Sequence, residues 1–140
     1  MTLKINPNPM RRAIHWPDVD FIERGLWPFR YFRPEEIRSK GDGSILVDYQ
    51  ALEMLDRFRD DIGAPIFVTS AYRDHAHNAA VGSQPTSLHR QGRAFDIWVN
   101  RVTPYELAQW AALFGWPGIG LYETFVHVDD GSPRRWGRSF

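Results

Sequence analysis

Three side chains in this sequence are placed so that they could bind one metal ion. His127 lies between two valines in "TFVHVD", and Asp96 lies in the middle of the apolar stretch "RAFDIWV". Successive side chains point to opposite faces of a strand, so an Asp and a His on neighbouring strands can meet. His89 comes before the strand of Asp96, and Gly92 between them allows the chain to fold back. The three side chains can therefore surround one point.

Imidazole and carboxylate groups are typical ligands of zinc, which binds them at about 2.0–2.2 Å. The sequence contains no cysteine, which excludes thiolate ligands, thiolate nucleophiles and disulfides. Three protein ligands leave a fourth position for water, and zinc lowers the pKa of that water to about 7. With a nearby carboxylate to take the proton, the chemistry indicated is hydrolysis of an amide bond.

Each of these residues also has an ordinary structural interpretation. A single histidine in a strand is more often a hydrogen-bonded core or surface residue than a metal ligand. A buried aspartate usually caps a helix or pairs with an arginine, and Arg93 is nearby in the sequence. Spacing alone leaves both interpretations open.

The composition limits the classes of function. A length of 140 residues fits one domain, and 43% hydrophobic and 24% charged residues exclude a disordered chain. Seventeen basic and seventeen acidic residues cancel, so no overall field attracts nucleic acid or an anionic membrane. The basic C-terminal end is interpreted as solvated surface; it contains Arg134, Arg135 and Arg138 around Trp136.

The first twenty residues contain prolines and charges and no apolar run of signal-peptide or membrane length. We therefore expect the protein to be cytoplasmic as synthesised. Residues 1–33 hold four of the ten prolines and scattered aromatic residues, which predicts an arm that packs on the domain without long regular elements. Residues 34–140 are predicted to form the catalytic domain.

Helices are predicted at three places in that domain. "FRPEEIRSK" indicates a short helix with Pro34 in its first turn. Apolar residues at steps of three and four predict a core helix over residues 48–62, which Gly63 can end. Thr103, Pro104 and Glu106 form a capping box that begins another helix, and Gly115 follows its apolar stripe. A turn and a short helix are expected in "SAYRDHAHNAAVG".

Strands are predicted over residues 65–69, in "RAFDIWV", and in "GIGLYE" and "TFVHVD", the last two as a hairpin or one bent strand. Helices and strands do not alternate strictly, as they would in a parallel sheet. The predicted class is α+β, with a mainly antiparallel sheet flanked by helices.

Three blocks of the sequence resemble a known family. "SAYRDHAHNAAVG", "SLHRQGRAFDI" and "GIGLYETFVHVD" resemble, in order, the three blocks of the zinc D-Ala-D-Ala carboxypeptidase and L-alanyl-D-glutamate endopeptidase family, whose fold is shared with the hedgehog signalling domain. The pattern S-x-H-x-x-G-x-A-x-D matches at Ser87, His89, Gly92, Ala94 and Asp96. The resemblance covers about residues 32–136, and "FVHVD" is the form of one subgroup.

The resemblance implies zinc as the cofactor, with His89, Asp96 and His127 as its ligands. It also implies that Arg73 holds a substrate carbonyl or carboxylate and stabilises the developing oxyanion, a role that suits a guanidinium. A salt bridge from Arg73 to Asp74 or Asp96 is the structural alternative. Further residues that match the family pattern are expected to bind substrate or to orient ligands: Ser70, Asn78 and Ser87.

The general base is less well defined, because Thr124 stands where better-known members have an acidic residue. Asp129 would share a strand face with His127 and is the favoured candidate, although it could instead only hydrogen-bond a ligand histidine. Glu123 is the second candidate, if a bulge brings it into the site. His75 and His77 receive no role.

The resemblance thus implies a zinc metallopeptidase that cleaves a peptide bond next to a D-amino acid in bacterial peptidoglycan, as a carboxypeptidase or an endopeptidase. Its partner would be the peptidoglycan stem peptide, with no nucleic acid or membrane, and we expect a monomer. It would act on the wall after release or delivery, like a phage or prophage lysin or a virion-associated peptidase. The alternative is a non-catalytic zinc-binding module of the same fold. A metal-free structural domain is disfavoured by the intact His-Asp-His set.

Overall fold

The computed structural model describes the backbone of residues 2–5 and all of residues 11–138. The strands within them are β1 (Thr2–Ile5), β2 (Arg12–Trp16), β3 (Ile45–Asp48), β4 (Ile66–Ser70), β5 (Ala94–Val99), β6 (Gly118–Leu121), β7 (Val126–Asp129) and β8 (Arg134–Gly137). The α-helices are α1 (Pro34–Ile37), α2 (Tyr49–Ile62), α3 (His75–Ala80) and α4 (Pro104–Phe114), and 3₁₀ turns span Val19–Phe21 and Leu88–Gln91. No helix in this part of the chain combines the length and apolar character that a membrane crossing needs.

The strands form two sheets. One is antiparallel with the order β1-β2-β3, and the other has the order β4-β5-β7-β6-β8. Every pair in the larger sheet is antiparallel except β6 and β8, which run parallel. Since helices and strands are mixed and the sheets are mainly antiparallel, the predicted α+β class is confirmed. The segments "GIGLYE" and "TFVHVD" contain the strands β6 and β7, which pair as a hairpin and do not form one bent strand.

The two long helices have the ends that the sequence predicts. Asp48 caps α2 by accepting a hydrogen bond from the Ala51 N–H, and Gly63 ends it in the left-handed conformation. Thr103 and Glu106 form a capping box at the start of α4. The apolar faces of α2 and α4 enter the main core, which contains Leu52, Leu55, Phe58, Leu107, Ala111 and Trp116.

The N-terminal segment contributes more to the fold than the sequence indicates. Strand β2 pairs with β3, and Ile14 and Trp16 of β2 are buried in the main core. Neither β2 nor β3 is among the predicted strands, because both are short and the first lies in a segment rich in proline. The boundary at residue 33 stays a prediction, and residues 1 and 6–10 of the predicted arm lie outside the described residues.

Candidate metal centre

The central strands of the larger sheet bring together the first two predicted ligands. Asp96 on β5 lies directly opposite His127 on β7, so that the two side chains are cross-strand neighbours. Nδ1 of His127 lies 3.0 Å from Oδ1 of Asp96. With His89 they form a group whose potential ligand atoms all lie within 4.8 Å of one another. The structure therefore places the three predicted ligands in one candidate metal site.

His89 reaches the site from the 3₁₀ turn that precedes β5. Ser87 caps this turn by accepting a hydrogen bond from the His89 N–H, and Gly92 ends it at φ 69°. Nδ1 of His89 lies 2.6 Å from the carbonyl oxygen of Ala71. A carbonyl can only accept, so Nδ1 carries the proton and Nε2 carries a lone pair. The turn thus fixes the tautomer that a metal ligand needs.

Within the part of the chain that the structure describes, the other nitrogen of His89, Nε2, is buried and has no hydrogen-bond partner. Nε2 lies 3.3 Å from Oδ1 of Asp96. If the His89 ring is neutral, Nε2 of His89 and Oδ1 of Asp96 present lone pairs to each other. A cation between the two atoms removes the repulsion between these lone pairs. A buried nitrogen without a partner calls for a physical explanation. A metal ion held by this group provides one.

His127 lies between two carboxylates. Nδ1 faces Asp96, and Nε2 lies 2.7 Å from Oδ2 of Asp129. Burial of the ring disfavours its charged form, but the hydrogen bonds to Asp129 and Asp96 outweigh burial and raise the pKa of His127. Burial likewise opposes ionisation of Asp96, yet the contacts with His127 and His89 hold the pKa of this carboxyl well below its usual range. The site favours an ionised Asp96, as a metal ligand requires.

Asp129 is fully buried, and both of its oxygens are bonded. Besides His127, it accepts hydrogen bonds from Nη1 and Nη2 of Arg134 at 2.9 and 2.6 Å and from the Gly131 N–H at 3.0 Å. These contacts outweigh burial and lower the pKa of Asp129 to about 2. Asp129 shares the strand face with His127 as the sequence predicts. Its position corresponds to the alternative prediction, a carboxylate that hydrogen-bonds a ligand histidine.

Glu123 does not take the position that the sequence predicts. Strand β7 begins at Val126, so Glu123 lies in the turn before it and not on the strand face of His127. Its side chain is 83% exposed and lies 3.7 Å from Arg138. It lines a separate cavity beside Thr103. The prediction that Glu123 points into the site with His127 is therefore wrong.

A cleft with a volume of about 500 Å³ opens over the three candidate ligands. Arg73 lines it, and its guanidinium is held by Ser70 Oγ at 3.1 Å and Asn78 Oδ1 at 3.4 Å. Nη2 of Arg73 also lies 3.5 Å from Asp96, a long contact. Arg73 thus lies beside the site, where it can face a bound substrate.

The other predicted substrate-binding residues divide into two groups. Ser87 lines the cleft. Ser70 and Asn78 do not line it and contact Arg73 instead, and Asn78 is buried and donates to the carbonyl of Gln84. Asp74, a predicted alternative partner of Arg73, caps α3 by accepting from the His77 N–H. The structure therefore places Ser70 and Asn78 against Arg73, a contact that neither of their two predicted roles describes.

Two residues of the site were missed by the sequence analysis. The C-terminal end forms strand β8, which places Arg134 on Asp129 and the Trp136 ring 5.1 Å from the His127 ring. Arg134 is 42% exposed, as predicted, but it also bonds to Asp129, and Trp136 is half-buried beside His127. The turn residues Gly131-Ser132-Pro133 directly after β7 were the available signal for a further strand. The side chain of Arg138 is 69% exposed, as expected.

The remaining walls of the cleft are formed by aromatic and polar side chains. Tyr122 and Phe125 stack with ring centroids 4.5 Å apart, and Trp136 donates a hydrogen bond from Nε1 to the Tyr122 hydroxyl. Gln84 and Thr86 also line the cleft. Such a cleft can bind a ligand with both apolar and hydrogen-bonding groups.

A comparison with protein families matches residues 30–129 of this chain to the family model described as Peptidase M15. The matched range contains the three candidate metal ligands, Arg73 and Asp129. A comparison with curated proteins finds no match. The matched residues make up more than half of the chain and include the three candidate ligands. The chain therefore belongs to the Peptidase M15 family.

Proposed function

We propose that the protein is a zinc-dependent metallopeptidase that hydrolyses a peptide bond next to a D-amino acid in bacterial peptidoglycan. One observation carries the proposal. Nε2 of His89 is buried without a hydrogen-bond partner among the described residues, and it faces Asp96 beside His127 beneath an open cleft. In a chain of a peptidase family, this arrangement fits a catalytic metal.

The group of potential ligands fits zinc. Two imidazole nitrogens and one carboxylate oxygen are offered, and a three-residue set leaves one position open for water. His89, Asp96 and His127 would hold the ion. When bound, zinc supplies a water of lowered pKa and polarises the substrate carbonyl. The open cleft leaves this side of the group accessible to substrate.

Arg73 is the residue proposed to bind the substrate carbonyl or carboxylate. Ser70 and Asn78 hold its Nε and Nη1, which fixes the guanidinium before substrate arrives. A cation that is already in place stabilises a developing oxyanion without having to reorganise. Ser87 is placed to contact the substrate from the same cleft.

The proposed substrate class rests on the three sequence blocks and on the shape of the cleft. A volume of about 500 Å³ suits a short peptide. Its mixed walls suit a stem peptide, which has methyl groups, amides and carboxylates. We propose that the protein acts on the cell wall as a monomer, either as a carboxypeptidase or as an endopeptidase of the kind found in lysins.

One observation favours a second candidate, a zinc-binding module without peptidase activity. Within the described residues, the carboxylates that line the cleft are Asp96 and Asp129 alone. The first is a candidate ligand, and the second is bonded to His127 and Arg134. Thr124 stands where an acidic residue would be expected, so a free general base is not evident in this part of the chain.

The decisive experiment measures zinc content and the release of soluble amino groups from purified peptidoglycan, before and after chelation and after zinc is returned. We expect one zinc per chain and release that depends on zinc. His89→Ala should lose both, whereas His75→Ala, at an exposed position on α3, should keep both. Zinc binding without release would support the binding module. Absence of zinc from the wild-type protein would contradict both candidates.

A further inference from the structure

We propose that strand β8 positions the metal ligand His127, with Arg134 acting through Asp129 and with Trp136 packing on the ring. The inference rests on the proposed metal site. Strand β8 begins at residue 134 and lies beyond the range that the family model matches, residues 30–129. The family match therefore assigns no role to these residues.

The hydrogen bonds around Asp129 determine how His127 presents its nitrogens. Both carboxylate oxygens accept from the fork of Arg134, and Oδ1 also accepts from the Gly131 N–H. Since both oxygens of Asp129 accept from Arg134, Oδ2 also acts as the acceptor in its 2.7 Å contact with Nε2 of His127, and Nε2 carries a proton. Nδ1 is then the nitrogen left for a metal; it faces Asp96, and a bound ion would take the place of any proton that Nδ1 carries there.

Arg134 holds that carboxylate in place through two contacts. Asp129 has no exposed surface, and a buried carboxylate without a cation is strongly disfavoured. The bidentate contact also fixes the plane of the carboxylate, which a single point charge would not do. The orientation of His127 therefore depends on a residue that is not one of the three candidate ligands.

The backbone of β6 is adapted to this arrangement. Gly118 lies opposite Asp129 on one side and opposite Arg134 on the other. A Cβ atom at Gly118 would overlap the Asp129 carboxylate and would lie 2.6 Å from Nη1 of Arg134. The ion pair can form across β6 only because residue 118 has no side chain.

A second glycine of β6 makes room for Trp136. Gly120 lies opposite both His127 and Trp136, and a Cβ atom there would overlap the indole ring. The indole lies 5.1 Å from the His127 ring and 4.9 Å from the Arg134 guanidinium, measured to ring centroids. The indole of Trp136 therefore packs on His127 and also on Arg134, the residue that supports His127 through Asp129.

The test is the zinc affinity of Arg134→Gln, measured by chelator competition, together with the visible spectrum of the cobalt-substituted protein. Because Arg134 acts through Asp129, the partner of His127, we expect affinity to fall by up to about 10–100-fold, the usual effect of losing such a partner, and the cobalt bands to shift. Arg138→Gln removes the same charge from the same end of the chain, at an exposed position, and should bind zinc like the wild type. Circular dichroism of the metal-free variants monitors folding.

Two further variants keep the inference testable if Arg134→Gln does not fold. Arg134→Lys keeps the charge but not the fork, and we expect a smaller loss of several-fold. In an Asp129→Asn background, Arg134→Gln should have little further effect, because Arg134 acts through Asp129. Wild-type affinity and cobalt spectrum in Arg134→Lys and a folded Arg134→Gln would overturn the inference. If the wild-type protein itself binds no zinc, the proposed function fails instead.

Discussion

The two histidines of the candidate metal centre are held in different ways. Nδ1 of His89 bonds to a main-chain carbonyl, that of Ala71. Nε2 of His127 bonds to the side chain of Asp129, which is itself held by Arg134. A main-chain acceptor is present whatever the side chain, so single substitutions can remove the support of His127 but not that of His89. The site therefore combines one support fixed by the backbone and one that depends on side chains.

The two rings also differ in electrostatic environment. His127 lies between Asp96 and Asp129, which together raise its pKa. Among the described residues His89 faces one carboxylate, that of Asp96, and its Nδ1–H donates a hydrogen bond to a neutral carbonyl. The loss of Asp96 should affect both histidines, whereas the loss of Asp129 should affect one. This difference can be tested by substitution.

The largest effect is expected for Asp96→Ala, which removes the residue shared by the two histidines. Zinc affinity should fall by more than about 100-fold, the upper limit expected when a residue that only hydrogen-bonds a ligand is removed, because here a ligand itself is lost. Isothermal calorimetry with zinc measures this change. Glu53→Gln, at an exposed position on α2, removes a charge elsewhere and should bind zinc normally. Zinc binding by Asp96→Ala with near wild-type affinity would exclude Asp96 as a ligand.

Asp129→Asn tests the support of His127 and the identity of the base together. We expect zinc affinity to fall about 10–100-fold, because the amide is a poorer acceptor from the ring. If Asp129 only orients His127, peptidoglycan cleavage should recover substantially at saturating zinc. Loss of cleavage by the zinc-loaded variant would instead make Asp129 the general base, the role that the sequence analysis favours.

Gly118→Ala should disturb the contact between Asp129 and Arg134 that supports His127, without replacing any of the three candidate ligands. The added Cβ overlaps the Asp129 carboxylate, and overpacking of this kind costs about 1–3 kcal/mol. Urea unfolding of the metal-free protein measures the loss of stability, and zinc affinity should also decrease. Gly120→Ala is the companion variant, since its Cβ meets Trp136 instead. Unchanged stability in both would show that the side chains of β8 do not pack across β6.

Asp74 tests the region that supports His89. It caps α3 just after the segment that contains Ala71 and Arg73. Burial opposes its ionisation, but hydrogen bonds from Ser39 and the His77 and Asp42 N–H groups lower its pKa from 3.8 to about 2. Because its pKa is lowered in the folded state, the ionised Asp74 carboxylate stabilises the fold at pH values above the ordinary pKa of 3.8. This contribution is lost as the pH falls toward 2.

We therefore expect Asp74→Ala to cost about 1–2 kcal/mol of unfolding free energy at pH 7, with the difference from wild type shrinking below about pH 4. Urea unfolding between about pH 7 and about pH 3 measures both quantities. Asp61→Ala, at an exposed position on α2, serves as control. A difference between Asp74→Ala and wild type that grows at low pH would contradict the expected sign.

The smallest effect is expected for Glu123→Gln. Because this side chain is 83% exposed and lines a separate cavity, zinc affinity and cleavage should stay within about twofold of wild type. Peptidoglycan release at saturating zinc measures the activity. A loss of cleavage with normal zinc binding would mean that Glu123 moves into the site when substrate binds.

Much of the fold follows from local patterns. The apolar face and the terminal glycine of α2, and the capping box of α4, depend on residues within a few positions of one another. Strands β2, β3 and β8 were not predicted. They are four or five residues long; β3 pairs with β2 of the N-terminal segment, and β8 pairs with β6 and not with β7, the strand before it in the chain. Propensity does not specify such pairing.

The sequence by itself pointed to the three candidate ligands through their residue types and, together with Arg73, through the resemblance of three local blocks to a known family. It did not determine which carboxylate supports which histidine. Asp129 and Glu123 were both candidates for the general base. The start of β7 at Val126 leaves Glu123 off the strand face of His127, and the return of β8 along β6 brings Arg134 to Asp129. The support of His127 comes from Arg134, across a strand with glycine at residue 118. Such a contact depends on strand register, and register is set by the packing of the whole sheet.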